Sequence, residues 1–319
     1  MTVGVGVFNV RVVQIERTVA VPDGYALGPT VGALRHGGRD PTCRVTSGRW
    51  WFGQSTPDGA ASLCLERVPG GVLARAWGPG AEWALDNASH LLGGGDDPSG
   101  FIAHHDLARE GAKAMAGWRI PRSRLVLQSL VPAIIEQRVT GKEAFAGHAR
   151  LVRRFGETAP GPGADLGLMV PPAPQDWARI PSWEWITAGI DRSRAETAVR
   201  ASSYAGRLEA AADLPLDQAH RRLRAIPGIG EWTAAEVAQR ALGDPDSPSF
   251  GDYHMAKNLT WALTGRPEGD DVARELLAPY AGERYRAQVY ISAAGGMRPR
   301  RGARMTLPTH LPSPLHQRR

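Results

Sequence analysis

The amino-acid sequence predicts an α+β protein in which a β-rich N-terminal domain precedes an all-helical domain. Strand-like runs separated by turns occupy about the first 100 residues, and helical apolar spacing dominates from His104 onward. A run of strands followed by a run of helices is typical of α+β architectures. We predict the β-rich domain over residues 1–103, the helical domain over residues 104–298, and a basic tail over residues 299–319 that is disordered because its apolar content is low.

The strand patterns of the first domain are bounded by turn residues. The strand-like segments are residues 10–12, 19–21, 43–52, 62–68 and 72–77. Pro69-Gly70-Gly71 separates the last two segments and is typical of a hairpin turn. Taken alone, these features are also those of a generic small sheet packed on a helical domain.

The helical patterns of the second domain come in pairs. We expect two helices over residues 125–155, two around Gly189 over residues 181–212, and a last pair over residues 271–297. Residues 157–174 are rich in proline and glycine and predict a loop. The simplest interpretation of Arg192 and Arg194, which follow Gly189, is a solvated helix face.

Composition limits the class of protein. A chain of 319 residues is long enough for a sizeable core in one large or two medium domains. No apolar run approaches the ~20 residues that span a bilayer, and no signal peptide is evident, so we expect a cytoplasmic protein. Cys43 and Cys64 are the only cysteines and fall in what we predict to be neighbouring strands. Two free buried thiols are the expected state, and a four-cysteine iron–sulfur cluster is excluded.

The positive charge of the chain is concentrated at its C-terminus. The formal net charge is +6, and six arginines with no acidic residue among them follow Met297. Without them the formal charge of the rest of the chain is zero. A nucleic-acid partner would therefore be bound by locally placed arginines and backbone amides rather than by overall charge.

The most informative stretch is residues 223–257. It predicts a short helix, the glycine turn IPGIG at residues 226–230, a second helix over residues 231–242, a loop, and Asp252. Gly228 and Gly230 permit positive φ angles and close approach of another backbone. Free amides at the start of the second helix would form an anion site that suits a phosphate. An ordinary helix–helix turn is the alternative.

Asp252 strengthens the interpretation of this stretch. In isolation, an aspartate before the helical pattern that begins at His254 is most simply a helix N-cap. The full string L-x-x-I-P-G-I-G-x-W-T-A, followed by F-G-D-Y-H, resembles the helix-hairpin-helix DNA glycosylase superfamily, and most of all bacterial 3-methyladenine DNA glycosylase II. The resemblance implies that Asp252 is the catalytic carboxylate of a helix-hairpin-helix glycosylase domain.

The same resemblance implies a set of DNA contacts. The amides of Gly228, Gly230 and Thr233 would hold a backbone phosphate. The segment IIEQRV at residues 134–139 resembles the part of the family that faces the gap left by a flipped nucleotide, which places Arg138 at the wedge and Gln137 beside it. An arginine wedge would stack its planar guanidinium on bases, whereas many relatives have an apolar side chain there. An exposed polar edge of a core helix is the alternative.

The resemblance also implies a base pocket and an ion site. Trp232 would offer an aromatic wall that attracts cationic bases, and Tyr253 flanks the carboxylate. Core packing is the alternative for both residues. A structural Na⁺ or K⁺ would be held by the backbone carbonyls of Arg224, Ile226 and Ile229 and would bridge to a phosphate. No other cofactor is required.

The few lysines favour hydrolysis over lyase chemistry. Bifunctional relatives attack with a lysine amine in the second hairpin helix, where this chain has Trp232. The only lysines are Lys113, Lys142 and Lys257. Lys257 lies close enough in sequence to Asp252 to keep the lyase alternative open. Glu236 and Ser292 stand where glycosylase II relatives can have aromatic residues, so the pocket departs from the family pattern.

The sequence therefore predicts a monofunctional DNA glycosylase that removes alkylated purines of the 3-methyladenine type from duplex DNA as the first step of base excision repair. We expect a monomer that acts on damaged double-stranded DNA in the nucleoid, with no membrane partner. The alternatives are a glycosylase for oxidised or mismatched bases, and a noncatalytic DNA-binding module. Only a catalytic role requires Asp252.

Overall fold

The structure is a computed structural model that describes residues 14–295 and residue 298. The predicted strand at residues 10–12 and the predicted disordered tail over residues 299–319 lie outside the described residues. The described part confirms the α+β class, with an antiparallel sheet in the N-terminal part of the chain followed by helices.

The sheet has five antiparallel strands in the order β1-β5-β4-β3-β2. The strands are β1 Ile15–Val19, β2 Cys43–Thr46, β3 Arg49–Thr56, β4 Gly59–Val68 and β5 Gly71–Trp77. The predicted turn before β5 is confirmed, since Val68 pairs with Gly71 across Pro69 and Gly70.

Two strand predictions were wrong in their limits. The predicted strand over residues 43–52 is a hairpin, because Ser47 and Gly48 both have positive φ angles, 49° and 76°, and reverse the chain between β2 and β3. Of the predicted strand over residues 19–21 only Val19 belongs to a strand, as the last residue of β1, where it pairs with Val72.

The two cysteines lie on opposite faces of the sheet. Cys43 pairs with Phe52, and Cys64 pairs with the preceding residue, Trp51, so β3 separates the two strands that we predicted to be neighbours. Cys43 packs in the core beneath the helices of the N-terminal part, whereas Cys64 packs on the other face with Trp51 and Trp77. Both thiols are free and buried, as predicted.

We expect neither thiol to react with Ellman's reagent in the native protein at pH 8. Burial raises the pKa of Cys43 to about 12 and that of Cys64 to about 11, so the nucleophilic thiolate is scarce as well as inaccessible. Two thiols per chain should react after unfolding in guanidinium. Rapid modification of a native thiol would contradict this packing.

The helices of the N-terminal part cover one face of the sheet. They are α1 Leu27–Gly32, α2 Ala81–Asp86 and α3 Ala88–Leu91. Their apolar residues join the inner face of β3, β4 and β5 in one buried cluster. The segment after α1, which contains Ala33 and His36, reaches back to the helical part.

The helical part is built around one buried helix. Its helices are α4 Asp106–Ala114, α5 Val126–Ile135, α6 Gly141–Phe155, α7 Pro174–Arg179, α8 Ser182–Thr187, α9 Arg192–Ser203, α10 Ala205–Glu209, α11 Leu216–Arg224, α12 Glu231–Val237, α13 Met255–Thr264, α14 Asp270–Leu277 and α15 Arg284–Gly295. Helix α5 packs against α6, α9 and α12. Glu209 caps its N-terminus, since both carboxylate oxygens accept backbone N–H groups, of Val126 and Leu127, at 2.8 Å.

Two expectations for the helical part were wrong. The predicted loop over residues 157–174 contains a small hairpin, β6 Glu157–Thr158 and β7 Met169–Val170, whose Met169 amide donates to the Pro41 carbonyl beside the sheet at 2.9 Å. Arg194 is not on a solvated face, because its guanidinium is buried between Asp191 and the carbonyl of Ile135. Within the described residues no helix is long and apolar enough to span a membrane.

Candidate functional site

The glycine turn joins α11 to α12 and is shaped by Gly228. The amide of Ile229 donates to the carbonyl of Ile226 at 3.0 Å, which closes a tight turn. Gly228 has a φ angle of +94°, and a Cβ atom placed there would lie 2.5 Å from Oγ1 of Thr197 on α9. A side chain at position 228 would therefore be both strained and obstructed.

The turn presents free amides to the surface. Gly228 and Gly230 are exposed, and within the described residues their N–H groups have no acceptor. Helix α12 begins at Glu231 without a side-chain cap and continues into a π-helical turn over Ala238–Leu242. Unsatisfied N–H groups at a helix N-terminus beside an exposed glycine form the geometry of an anion site.

Gln137 is held by this turn. Its side-chain nitrogen donates to the carbonyl of Gly228 at 3.0 Å and to Oγ1 of Thr233 at 2.8 Å. Thr233 is only 2% exposed, so its hydroxyl faces inward, and only its backbone amide belongs to the helix N-terminus. Gln137 therefore links the end of α5 to the turn. Its predicted contact with DNA, and that of Thr233, stay predictions.

Arg138 is exposed and its backbone is left-handed, with a φ angle of +56°. The residues before it are anchored: Glu136 contacts Nδ1 of His36 at 3.2 Å, and Gln137 is held by the turn. A non-glycine residue in this conformation costs roughly 1 kcal/mol, and such strain persists only where the surroundings impose it. The fold thus holds Arg138 out from the surface next to the anion site.

Asp252 caps helix α13 with one of its oxygens. Oδ1 accepts the backbone N–H groups of His254 and Met255, both at 2.7 Å, so Asp252 caps the first amides, although helix α13 begins only at Met255 and its N-cap position is His254. Among the described residues, Oδ2 has no hydrogen-bond donor. The carboxylate is half-buried and fixed in orientation, with one oxygen available to a ligand.

The two predicted pocket residues have different environments. Trp232 is half-buried, a Cβ atom on Gly251 would lie 3.5 Å from its Cβ, and its indole N–H is buried without an acceptor among the described residues. Trp232 therefore lies beside the loop that carries Asp252. Tyr253 is 68% exposed, with Nζ of Lys257 4.1 Å from the centre of its ring, so it belongs to the outer surface rather than to an enclosed wall. Contact of either residue with a base stays a prediction.

The carbonyls predicted to hold a monovalent ion are compatible with that role. Within the described residues those of Arg224 and Ile229 accept no hydrogen bond, and that of Ile226 accepts one from the amide of Ile229. A carbonyl oxygen has two lone pairs, so all three retain capacity for a cation. In the described part of the chain, no group of three or more His, Cys, Asp or Glu side chains has metal-site geometry.

Sequence reasoning missed the residues that hold the Asp252 loop in place. The backbone N–H of Asp252 donates to the carbonyl of Ser249 at 3.1 Å, and Ser249 in turn contacts Glu236 on α12 and Gln288 on α15. These partners come from separate elements, so no local pattern signals them. Glu236 was singled out only as a departure from an aromatic residue.

Comparison of the sequence with known proteins finds similarity over half of the chain. No family model matches the chain. A segment of 163 residues, 50% of this chain, is 32% identical to the probable bifunctional transcriptional activator/DNA repair enzyme AlkA of two Mycobacterium tuberculosis strains. That segment spans 32% of the length of these curated relatives.

Solved structures then define the fold. The 3-methyladenine DNA glycosylase of Archaeoglobus fulgidus is 19% identical, with a TM-score of 0.69 over 88% of this chain and 98% of that protein. The apo 8-oxoguanine glycosylase/lyase of Clostridium acetobutylicum is 13% identical, with a TM-score of 0.65 over 88% of this chain and 96% of that protein. The chain has the fold of these two DNA glycosylases.

Proposed function

We propose that the protein is a DNA glycosylase that hydrolyses the N-glycosidic bond of a damaged base in duplex DNA. The observation that carries the proposal is the state of Asp252: one oxygen is fixed by the start of α13 and the other is available, one loop away from an exposed anion site. The fold shared with DNA glycosylases and the AlkA relative support the same class.

Hydrolysis of the N-glycosidic bond requires few protein groups other than a fixed carboxylate. A base within a duplex is unreachable, so it must be flipped out of the stack. Breaking the N-glycosidic bond develops positive charge on the sugar, as in glycoside hydrolysis. Oδ2 of Asp252 would stabilise that charge and orient or deprotonate the attacking water. Because Oδ1 is already bound by two amides, the carboxylate needs no reorganisation during the reaction.

The glycine turn would anchor the DNA backbone. The amides of Gly228 and Gly230 and the first amides of α12 would bind one phosphate, and an Na⁺ or K⁺ ion held by the carbonyls of Arg224, Ile226 and Ile229 would add positive charge there. Gln137 keeps Arg138 beside this anchor. Arg138 would fill the gap left by the flipped nucleotide and stack on the neighbouring bases.

Replacing Arg138 with glycine is expected to slow base release without lowering the free energy of unfolding. Glycine accepts a positive φ angle without strain, so the free energy of unfolding should stay the same or rise by up to about 1 kcal/mol. Loss of the guanidinium wedge should slow single-turnover base release roughly tenfold, because opening the stack costs a few kcal/mol. Denaturant unfolding and a base-release assay measure the two effects.

Arg124 provides the matched control for Arg138. It is an arginine with nearly the same φ angle, +57°, but it lies before the other end of α5. Arg124→Gly should relieve the same strain and leave base release unchanged. Equal activity losses in the two variants would remove Arg138 from the DNA interface.

The proposed substrate is an alkylated purine of the 3-methyladenine type. Such a base is cationic and a good leaving group, so a single carboxylate suffices. Trp232 would supply an electron-rich face beside Asp252. One structural neighbour is a 3-methyladenine glycosylase and another is an 8-oxoguanine glycosylase/lyase, so an oxidised base is the competing substrate class.

We propose hydrolysis without lyase activity, and borohydride trapping tests it. A lysine that attacks the sugar forms a Schiff base, which borohydride reduces to a stable protein–DNA adduct. Trp232 occupies the helix position of that lysine in bifunctional relatives, and Lys257 is engaged with the Tyr253 ring. We expect no adduct, and base release by Lys257→Ala within about threefold of wild type, since the ammonium contributes one cation–π contact. A trapped adduct that disappears in Lys257→Ala would establish the lyase instead.

The test of the proposed activity is abasic-site formation. Methylated duplex DNA is incubated with the purified protein and cleaved with alkali at abasic sites. With enzyme in excess over DNA, strand breaks should accumulate with a single-turnover rate constant that saturates as the enzyme concentration rises. DNA binding without breaks on methylated, oxidised or mismatched duplexes would support the noncatalytic module. We further propose that the protein acts as a monomer and that its substrate is the DNA of the nucleoid.

A further inference from the structure

We propose that Ser249 is a positioning residue for Asp252, and that Glu236 and Arg240 link this position to the N-terminal part of the chain. The inference rests on the proposed function of Asp252 and assigns it a support that comes from three separate elements. Ser249 touches neither substrate nor reacting atoms; it acts through the loop of residues 249–252.

Every polar group of Ser249 is used. Its amide donates to Oε1 of Gln288 on α15 at 2.9 Å, and its carbonyl accepts the Asp252 amide at 3.1 Å. Its hydroxyl donates to Oε1 of Glu236 at 2.7 Å and accepts from Nε2 of Gln239 at 3.0 Å. Ser249 is only 7% exposed, so it is a buried residue with hydrogen bonds to four other residues. The loop is thus fixed at Ser249 on one side and by the α13 cap on the other.

Glu236 extends the support across the molecule. Its second oxygen pairs with Nη1 of Arg240 at 2.7 Å, and Nε of Arg240 donates to the carbonyl of Ala33 at 2.9 Å. Glu236 lies one helical turn after Trp232, on the same side of α12. A chain of hydrogen bonds therefore runs from the segment after α1, through α12, to the residue that accepts the Asp252 amide.

The arrangement matters because the loop contains a flexible residue. Gly251 has a φ angle of +89° and directly precedes Asp252. Without a fixed point before it, rotation about Gly251 would let the carboxylate move relative to the anion site. Displacements of about 1 Å in catalytic groups can lower rates about 100-fold. Oδ2 of Asp270 accepts the amide of Gly251 at 2.8 Å and holds the loop at Gly251 itself, and Ser249 provides the fixed point before it.

The experiment compares Ser249→Ala with Ser62→Ala. Ser62 is also a buried serine whose hydroxyl makes one tertiary bond, to the carbonyl of Pro160 at 2.6 Å, but it lies in the sheet strand β4. Ser249→Ala should lower the single-turnover rate constant roughly 10- to 100-fold while the DNA dissociation constant changes less than about threefold. Ser62→Ala should change neither. Ser249→Thr, which keeps the hydroxyl, should restore most of the rate.

A Glu236 variant and a hydrogen-exchange measurement distinguish failure of the positioning role from failure of the proposed function. Glu236→Gln, which removes the charge facing Arg240 and keeps the side-chain shape, should lower the rate constant without affecting DNA binding. Hydrogen exchange of the segment over residues 249–256 should speed up in Ser249→Ala and not in Ser62→Ala. An inactive wild type overturns the proposed function, and the exchange data then decide the positioning role alone. Unchanged rate and unchanged exchange in Ser249→Ala overturn the positioning role.

Discussion

Replacing Asp252 with asparagine is expected to abolish base release while the fold and DNA binding persist. The amide oxygen of asparagine still accepts the N–H groups of His254 and Met255, so helix α13 keeps its cap. The charge that would stabilise the sugar cation is lost. Removal of such a group lowers the rate about 10²- to 10⁴-fold.

Alanine at position 252 should behave differently from asparagine. It removes the cap as well as the charge, so it should also lower the free energy of unfolding by about 1 kcal/mol. Asp97→Asn is the control, because Asp97 also caps a helical turn: its Oδ1 accepts the amide of Ser99 at 2.9 Å, while its Oδ2 accepts the Ser99 hydroxyl. Single-turnover base release and chemical unfolding report the two effects. Normal activity of Asp252→Asn would remove the carboxylate from the mechanism.

The second large effect is expected at the glycine turn, where Gly230→Asp should weaken DNA binding without harming the fold. Gly230 has φ and ψ angles of −91° and −172° at the N-cap of α12, and a Cβ atom there meets nothing within 4 Å. Aspartate is a preferred N-cap residue, so stability should hold or rise. Its charge would lie in the proposed phosphate site, and the affinity for any duplex should fall more than about tenfold with a shallower salt dependence.

Two other glycine variants serve as controls for the effect of Gly230→Asp on DNA affinity and on stability. Gly269 caps α14 with almost the same backbone angles, −88° and −169°, and open space around it, so Gly269→Asp repeats the cap and the charge at a different helix N-terminus. It should change the affinity less than about threefold, since the first turn of α14 is already acidic. Gly228→Ala should instead destabilise the protein by about 1–3 kcal/mol through its φ angle and its contact with Thr197. Equal affinity losses for Gly230→Asp and Gly269→Asp would remove the turn from the interface.

The parts of the site that follow one another closely in sequence were predictable. The glycine turn, the helix after it and Asp252 as a helix cap depend on local backbone preferences, and the structure has all three. The hairpin turn at Pro69-Gly70-Gly71 was predicted for the same reason, and in the structure Gly71 is already the first residue of β5.

The parts that depend on tertiary contacts were not predictable. Arg194 has the spacing of a surface residue, yet it is buried because the carbonyl of Ile135, at the end of α5, needs a donor. Tyr253 is next to Asp252 in sequence but points outward, since the capped turn sends consecutive side chains in different directions. Ser249 gained its role only because α12 and α15 meet at the loop.

The contacts of Glu236 explain why this chain has a carboxylate at a position that departs from the family pattern. Where relatives can have an aromatic residue, this chain has a carboxylate with two partners, Arg240 and Ser249. The half-buried pair of Glu236 and Arg240 is satisfied, and Glu236 holds the loop of Asp252 through Ser249, a contact that an aromatic ring would not make. In the proposed base pocket, α12 would contribute Trp232 as its aromatic side chain, whereas Glu236 is engaged by Arg240 and Ser249.

The most direct test of the central claim is mass spectrometry of the bases released from methylated duplex DNA by the wild-type protein and by Asp252→Asn. The proposed mechanism predicts free 3-methyladenine or 7-methylguanine from the wild type and neither from the variant, at equal DNA occupancy. Release of the same bases by both proteins would contradict the role of Asp252. Absence of any released base from methylated DNA that the wild type binds would contradict the alkylpurine activity.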